Sequence, residues 1–234
     1  MCMRKLNYLL AMLALCVLWG CSEDDTNNTS VDEQNHNYYC PDANHPHAID
    51  LGLPSGTRWA CCNVGASSPL ESGIYVAWGE TSTKECYDLN TYLYRNDEFD
   101  VENIGSDIAG TQYDVAYVEW GESWCMPSHE QQLELLYHCT SIKINMGGVY
   151  GMEFTGPNGQ SIFMPNAGMY FDDKLEELGV WGHYWSSTQS PYDNQHVYHI
   201  DFSDSRYEDE QFTTTKIYGQ SVRPVVKSTN IQQP

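Results

Sequence analysis

The sequence predicts an α+β domain, because two helical patterns lie among short segments that alternate like strands. Residues 128–139 begin with a Ser-His-Glu-Gln capping box and continue with leucines at helical spacing. Residues 111–120 begin with Thr-Gln-Tyr-Asp, in which an acid follows an N-cap residue by three positions. Residues 196–202 alternate in the way that predicts a strand.

The other elements are predicted from alternation and from turn-forming residues. A hairpin is expected at residues 149–164, because two apolar runs flank Asn158-Gly159. Residues 82–110 are polar and irregular, which predicts a long surface loop. Further extended segments are predicted at residues 48–53, 57–64, 73–78 and 221–226.

The predicted domain spans residues 47–228 and is followed by a short tail, residues 229–234. A domain of about 180 residues buries about 70% of its unfolded surface, so it has a core of its own. The chain has 17 Tyr, 7 Trp and 6 Phe. Disordered chains are poor in such residues, so most of this chain is expected to fold.

Residues 1–20 have the organisation of a secretory signal peptide, with two basic residues followed by an apolar run. The run, residues 6–18, is shorter than the about 20 residues that a membrane span needs. Leu-Trp-Gly-Cys at residues 18–21 resembles a bacterial lipobox, which predicts lipidation of Cys21. Residues 21–46 are then the lipidated cysteine and a flexible polar tether.

The acidic run after Cys21 resembles the export signal of lipoproteins that reach the outer face of the outer membrane. An ordinary solvated acidic run is the alternative. The predicted location is the outer membrane, with the protein held by its lipid and exposed at the cell surface. The membrane is therefore one predicted partner.

The charge of the chain excludes some classes of partner. The formal net charge is −21 at pH 7, with 11 Lys and Arg against 32 Asp and Glu. Nucleic acids and sulfated polymers need clustered basic residues, and the sequence has no such cluster. We therefore expect no nucleic-acid partner.

The cysteine count predicts disulfides in an exported chain. Six cysteines remain after the signal peptide and Cys21 are set aside, and six allow fifteen connectivities. The adjacent Cys61 and Cys62 are expected on opposite faces of a strand. Cys-x-x-Cys and zinc-finger histidine spacings are both missing, which argues against a structural zinc site.

Seven segments in order resemble one family, the Fibrobacter succinogenes major paralogous domain, found in surface lipoproteins. They are residues 49–56, 59–66, 75–81, 120–128, 154–163, 184–188 and 221–225. The resemblance covers residues 47–227. It implies a C-type-lectin-like fold, with two helices and a curled antiparallel sheet. It also implies that Trp185 belongs to the core.

The resemblance also implies disulfide pairings. Cys62 and Cys139 fall where such domains carry cysteine, which supports their pairing. Cys61 and Cys125 stand as additions to the family pattern and form a candidate second bridge. Cys40 and Cys86 remain as the third pair.

The candidate ligand-binding residues lie in the aromatic and amide-rich segment 181–198: Trp181, His183, Tyr192, Asp193 and Asn194. Aromatic faces stack on sugar rings, and amides hydrogen-bond to hydroxyl groups. An ordinary solvated loop is the alternative, and the acids from Asp201 onward are interpreted as a solvated edge.

No metal site or required cofactor is predicted. Lectin-type calcium binding resembles a Glu-Pro-Asn loop with a Trp-Asn-Asp triplet, and residues 192–194 match the triplet only faintly. Calcium is therefore the one cofactor left open. His196 and His199 are three apart on a predicted strand and face opposite sides, so they cannot chelate one metal.

The predicted function is a non-catalytic binding or adhesion module that takes a glycan or a protein ligand. The sequence has no nucleophile elbow, zinc-protease motif or phosphate loop, so an enzyme is not predicted. Two alternatives remain open. One is a structural or accessory subunit of a surface assembly, and the other is an enzyme of unknown reaction.

Overall fold

The structure, a computed structural model, describes residues 44–96, 100–203 and 213–226. The predicted signal peptide, Cys21, Cys40, the tail and most of the predicted tether lie outside the described residues, whereas residues 44–46 of the tether are described. The described helices and strands are, in chain order, β1 Ala48–Asp50, β2 Arg58–Ala60, α1 Val115–Trp120, β3 Trp124–Cys125, α2 His129–His138, β4 Thr140–Met146, β5 Val149–Thr155, β6 Ser161–Pro165, β7 Met169–Phe171, β8 Lys174–Glu176, β9 Gly182–Gln189, β10 His196–Phe202, β11 Thr213–Thr215 and β12 Val225–Val226.

The predicted fold class, an α+β C-type-lectin-like domain with one curled antiparallel sheet, is wrong for the described residues. Their strands form four small antiparallel sheets: β1-β2-β12-β3, β11-β10-β9, β4-β5-β6 and β7-β8. The two expected helices are present, but they are only 6 and 10 residues long. Most strands are ended after a few residues by turns, so they do not join into one sheet.

The helix ends follow from side chains that satisfy the first backbone N–H groups. Ser128 and Gln131 form the predicted capping box at the start of α2. The start of α1 was predicted at Thr111, but its cap is Asp114, which accepts hydrogen bonds from the N–H groups of Ala116 and Tyr117. Asp114 also accepts from Met126 N–H at 2.9 Å, so the cap ties α1 to β3.

The predicted hairpin at 149–164 and the strand at 196–202 are confirmed. The predicted strand at 73–78 is not: there only Val76 makes a bridge, to Gln220. A β-bulge interrupts the pairing of β9 with β10, because Val197 pairs with Gln189 whereas His199 pairs with Trp185.

Three tryptophans fill the centre of the domain: Trp59, Trp78 and Trp185 are at most 1% exposed. The indole of Trp185 donates to Val76 O at 2.8 Å, and that of Trp78 donates to Ser186 O at 2.9 Å. These two bonds join the loop after β2 to β9. Trp185 therefore lies in the core, as predicted.

The segment 220–226 runs through the core and joins several elements. Its backbone pairs with β2 and β3 through β12 and makes a parallel bridge to β9 at Tyr184. Arg223, fully buried, donates to Asn63 Oδ1 at 2.7 Å and to the backbone oxygens of Ala60, Cys61 and Phe163 at 2.9–3.1 Å. One side chain thus links the end of β2, the strand β6 and the segment 220–226.

The cysteines do not form the two pairings that the resemblance implied. Cys61, Cys62, Cys125 and Cys139 are not disulfide-bonded in the structure, so neither a Cys62–Cys139 nor a Cys61–Cys125 bond is present. Cys86 is disulfide-bonded. The pairing of Cys86 with Cys40 stays a prediction, because Cys40 lies outside the described residues.

Replacing Arg223 with Met should lower the free energy of unfolding by about 3 kcal/mol or more, because it strands buried carbonyl oxygens without a donor. Urea unfolding with linear extrapolation measures this loss. Arg58→Met is the matched control, because Arg58 is the exposed residue of β2, and its expected change is within about 0.5 kcal/mol. A loss below about 1 kcal/mol for Arg223→Met would show that the hydrogen bonds do not hold these elements together.

Candidate functional site

A polar pocket of about 610 Å³ lies between the start of α2 and the turn that joins β9 to β10. Its lining is Ser106, Asp107, Glu130, Thr188, Gln189, Ser190, Pro191, Tyr192, Asp193 and Asn194. Three of the predicted binding residues, Tyr192, Asp193 and Asn194, are therefore brought together in one pocket. The other two, Trp181 and His183, are not part of its lining.

The start of α2 is docked against the sheet, and this places Glu130 in the pocket wall. The ring of His129 stacks on Tyr198 with 3.8 Å between ring centroids. The backbone N–H of His129 donates to Thr188 Oγ1 at 3.1 Å. Glu130, the next residue, is exposed in the first turn of the helix. Its carboxylate is available to accept hydrogen bonds from a ligand.

Tyr192 is the exposed aromatic residue of the pocket, with 79% of its surface accessible. The turn that carries it is closed by Ser190 N–H, which donates to His196 O at 2.9 Å. The backbone N–H of Tyr192 donates to Ser190 Oγ at 3.3 Å. The backbone of the turn is thus held while the ring of Tyr192 stays accessible to a ligand.

Asp193 holds the turn and is less available to a ligand than its position suggests. Its Oδ1 accepts from the backbone N–H groups of Gln195 and His196, both at 2.8 Å, and from the His196 ring at 2.9 Å. Partial burial raises the pKa of Asp193, but the hydrogen bonds from His196 and Gln195 outweigh it and lower the pKa. The carboxylate therefore stays ionised at neutral pH.

A buried lysine orients the amide groups of the pocket. Lys216 Nζ donates to Gln189 Oε1 at 2.7 Å, and Gln189 Nε2 donates to Asn194 Oδ1 at 3.2 Å. Because an ammonium group only donates, the carbonyl of Gln189 must face Lys216. The carbonyl of Asn194 must then face Gln189. This order leaves the NH₂ group of Asn194, a lining residue, as a donor that a ligand can use.

Lys216 is itself enclosed, with its Nζ 4.7 Å from the centre of the Trp78 ring. Burial lowers the pKa of Lys216 to about 8, although Asp193 opposes this effect. None of the ten residues that line the pocket, all of them described, is Lys or Arg. With Asp107, Glu130 and Asp193 in its wall, the pocket disfavours an anionic ligand.

Trp181 and His183 belong to a second site, a histidine–carboxylate network. His183 Nδ1 lies 2.5 Å from Asp201 Oδ1, and His183 Nε2 lies 2.7 Å from Glu177 Oε2. Trp181 stacks on His183 with 6.1 Å between ring centroids. Both ring nitrogens face carboxylates, an arrangement that favours the protonated imidazole, in which both nitrogens donate. Burial lowers the pKa of His183, but Asp201 and Glu177 outweigh this effect and raise the pKa.

Distances argue against a metal ion in this network. The ligand atoms of His183, His199 and Asp201 lie within 4.8 Å of one another. Two ligands about 2.0–2.2 Å from one tetrahedral ion would be about 3.4 Å apart. The 2.5 Å between His183 Nδ1 and Asp201 Oδ1 is too short for two ligands of one such ion, and the two atoms are in hydrogen-bond contact. A proton, not a metal, therefore joins these two groups.

Sequence reasoning interpreted Asp201 only as part of a solvated edge and did not single out Glu177. In the structure Asp201 Oδ1 also lies 3.2 Å from His199 Nδ1. His199 and Asp201 are two apart on β10, and such residues share a face of a strand. That spacing was the available signal. Glu177 lies in a turn with φ of 60°, for which local sequence offers no comparable signal.

A third polar cluster, Cys86 with Asp88 and Asp172, is not a thiolate site, because Cys86 is disulfide-bonded. A fourth, His45 with His47 and Cys61, lies at the open end of the β1–β2 pair, before β1 and after β2, far along the chain from the pocket. Neither contributes a residue to the pocket lining.

Comparison with known proteins returned no matching family model, no matching curated protein and no matching solved structure. Within residues 44–96, 100–203 and 213–226, the helices are too short and too polar to span a bilayer.

The ring of His183 should keep its proton above the pH of about 6.5 at which free histidine loses it. Because the folded state raises this pKa, the network stabilises the fold below about pH 6.5, and the stabilisation is lost as pH rises through the folded pKa. Histidine ring shifts measured by NMR during a pH titration report the midpoint. Asp201→Asn should lower it.

Asp193→Asn is the matched control for that titration, because Asp193 pairs with His196 and not with His183. It should leave the midpoint of His183 unchanged. An unaltered midpoint in Asp201→Asn would refute the assignment of Asp201 as the group that holds the proton on His183.

Proposed function

We propose that this chain is a non-catalytic carbohydrate-binding module of a surface lipoprotein, with a neutral glycan held in the pocket around Tyr192. The observation that carries the proposal is the pocket itself. It combines an exposed aromatic ring with oriented amide and carboxylate groups. Its volume of about 610 Å³ lies within the about 300–1,000 Å³ of ordinary ligand sites.

The lining offers the contacts that a sugar requires. The ring of Tyr192 can pack against the apolar face of a pyranose, because most of its surface is accessible. The Asn194 NH₂ group donates to a sugar oxygen, and Glu130 accepts from hydroxyl groups. Donor, acceptor and stacking surface therefore meet in one open pocket.

Charge favours a neutral ligand. The pocket has three carboxylates in its wall, and the ammonium group of Lys216 is hydrogen-bonded to Gln189 and does not line the pocket. The whole chain carries a formal charge of −21. A sulfated or phosphorylated polymer would be repelled both by the pocket and by the surface around it. A neutral hexose polymer meets neither penalty.

The placement of the domain at the cell surface rests on the sequence. The lipobox-like residues 18–21 and the resemblance to a surface-lipoprotein family support an outer-membrane anchor at Cys21. The polar residues that follow Cys21 would supply a tether between the lipid and the domain. The proposed module therefore binds glycans in front of the membrane that carries it.

A glycan array probed with the purified chain should show binding to neutral glycans and none to sulfated ones. Tyr192→Ala should weaken that binding about fivefold or more, because a lost stacking contact costs about 1 kcal/mol. Tyr150→Ala is the matched control, since Tyr150 is 48% exposed on β5 and outside the pocket lining. Binding unchanged in Tyr192→Ala, or no binding at all, would refute the proposal.

The same array is run with calcium and with a chelator. Binding through stacking and amide contacts should survive the chelator, because the proposed contacts use no ion. Loss of binding in the chelator would assign the acids of the pocket to calcium and overturn the metal-free mode.

Cys21→Ala should release the protein from the membrane fraction, because the acyl chains can no longer be attached. Metabolic labelling with a radioactive fatty acid, followed by fractionation, measures both effects. Cys139→Ser should leave labelling intact, because it changes a cysteine of the folded domain that forms no disulfide. A Cys21→Ala protein that still labels and sediments with membranes would contradict the anchor.

A further inference from the structure

Two histidines and a cysteine converge where the chain enters the domain. Ala48 pairs with Ala60 at the end of the antiparallel β1–β2 pair, so the next residues outward, His47 and Cys61, lie opposite each other. Cys61 N–H donates to His47 O at 3.0 Å, and His47 N–H donates to Cys61 Sγ at 3.1 Å. His45 reaches the same sulfur with its ring.

The distances from the two imidazoles to the sulfur match those between ligands of one tetrahedral zinc ion. His45 Nδ1 lies 3.3 Å from Cys61 Sγ, and His47 Nδ1 lies 3.7 Å from it. Zinc binds sulfur at about 2.3 Å and nitrogen at about 2.0–2.1 Å, which places two such ligands about 3.5–3.6 Å apart at the tetrahedral angle. The two measured distances lie on either side of that value.

The sulfur has the chemistry of a metal ligand. A hydrogen bond from the Cys62 side chain is the largest of the effects that lower the pKa of Cys61 to about 4. Burial opposes it, and hydrogen bonds from His47 N–H and from the rings of His45 and His47 add to it. Zinc binds the thiolate form of cysteine and releases its proton, so on binding the ring contacts to the sulfur would be replaced by bonds from sulfur and nitrogen to the ion.

The access to the cluster suits an ion with an open position. Cys61 is 4% exposed, whereas His45 and His47 are only half-buried, so the sulfur is inside and the imidazoles lie toward the surface. The two imidazole rings meet edge to face with 5.5 Å between centroids, so they approach the sulfur from different directions. Three protein ligands with a fourth, outward position are a common zinc arrangement.

We propose that His45, His47 and Cys61 bind a zinc ion that joins the segment before β1 to the end of β2. Imidazole and thiolate together suit zinc and copper(I) and do not suit calcium or magnesium. The ion would hold the residues before β1 against the domain. It would lie next to the backbone carbonyl of Cys61, which accepts a hydrogen bond from buried Arg223. The site is separate from the glycan pocket and independent of its assignment.

The test uses the full chain, purified without added metal, with the state of Cys61 checked by mass spectrometry. Calorimetric titration should show one zinc ion bound per chain and none of calcium. Titration with cobalt(II) as a zinc substitute should give a thiolate-to-cobalt charge-transfer band. Zinc should also raise the Tm of the chain, because it binds the folded state.

Cys61→Ser should abolish the charge-transfer band and weaken zinc binding more than the about 10- to 100-fold that loss of an outer-shell partner costs. His47→Ala should weaken zinc binding at least about tenfold. The matched controls are Cys139→Ser and His138→Ala, both outside the cluster, and they should leave binding unchanged.

Several outcomes would overturn the site, and the first three need no variant. They are the absence of zinc binding by the reduced chain, a cobalt spectrum without the charge-transfer band, and a disulfide at Cys61 in protein isolated from cells. A charge-transfer band that survives Cys61→Ser would assign the metal to another thiol. Binding of copper(I) alone would overturn the zinc assignment.

Discussion

The fold depends on one buried guanidinium group. Arg223 is the largest charged side chain in the core, and its hydrogen bonds reach Asn63 and the carbonyls that end β2 and lie on β6. The carbonyls belong to two sheets that share no strand, so no backbone hydrogen bonds between strands join them there. The Arg223 side chain supplies hydrogen bonds between these sheets instead. Asn63 extends the link, because its amide donates to Ser72 O at 2.9 Å. Several small sheets can therefore share one core.

The β-bulge between β9 and β10 separates the two polar sites of this hairpin. On one side of the bulge the strands pair Gly182 with Phe202, and the histidine–carboxylate network lies there. On the other side they pair Val197 with Gln189 and continue into the turn that carries Tyr192. Extra residues in one strand bend the hairpin, so its two ends face different surroundings. The network is enclosed and favours a protonated imidazole, whereas the pocket is open and acidic.

The zinc-site proposal and the histidine network show how distance decides between similar groups of residues. Both combine two histidines with an anionic ligand atom within 4.8 Å. In the network the closest contact is 2.5 Å, which is a hydrogen-bond contact and too short for two ligands of one tetrahedral ion. Around Cys61 the contacts are 3.3 and 3.7 Å, which suit a shared ion. The residue types alone would have treated the two groups alike.

The sequence by itself determined the elements whose signals are local: the capping box of α2, the hairpin of β5 and β6, and strand β10. It also brought Tyr192, Asp193 and Asn194 together, because they are consecutive. Only the tertiary structure decided that the described strands form four sheets. It also decided that Trp181 and His183 lie outside the pocket lining, and that His45 and His47 contact Cys61. The reason is physical: capping and alternation act over a few residues. Contacts such as Arg223 with Ala60 join residues 163 positions apart, and they depend on how the whole core packs.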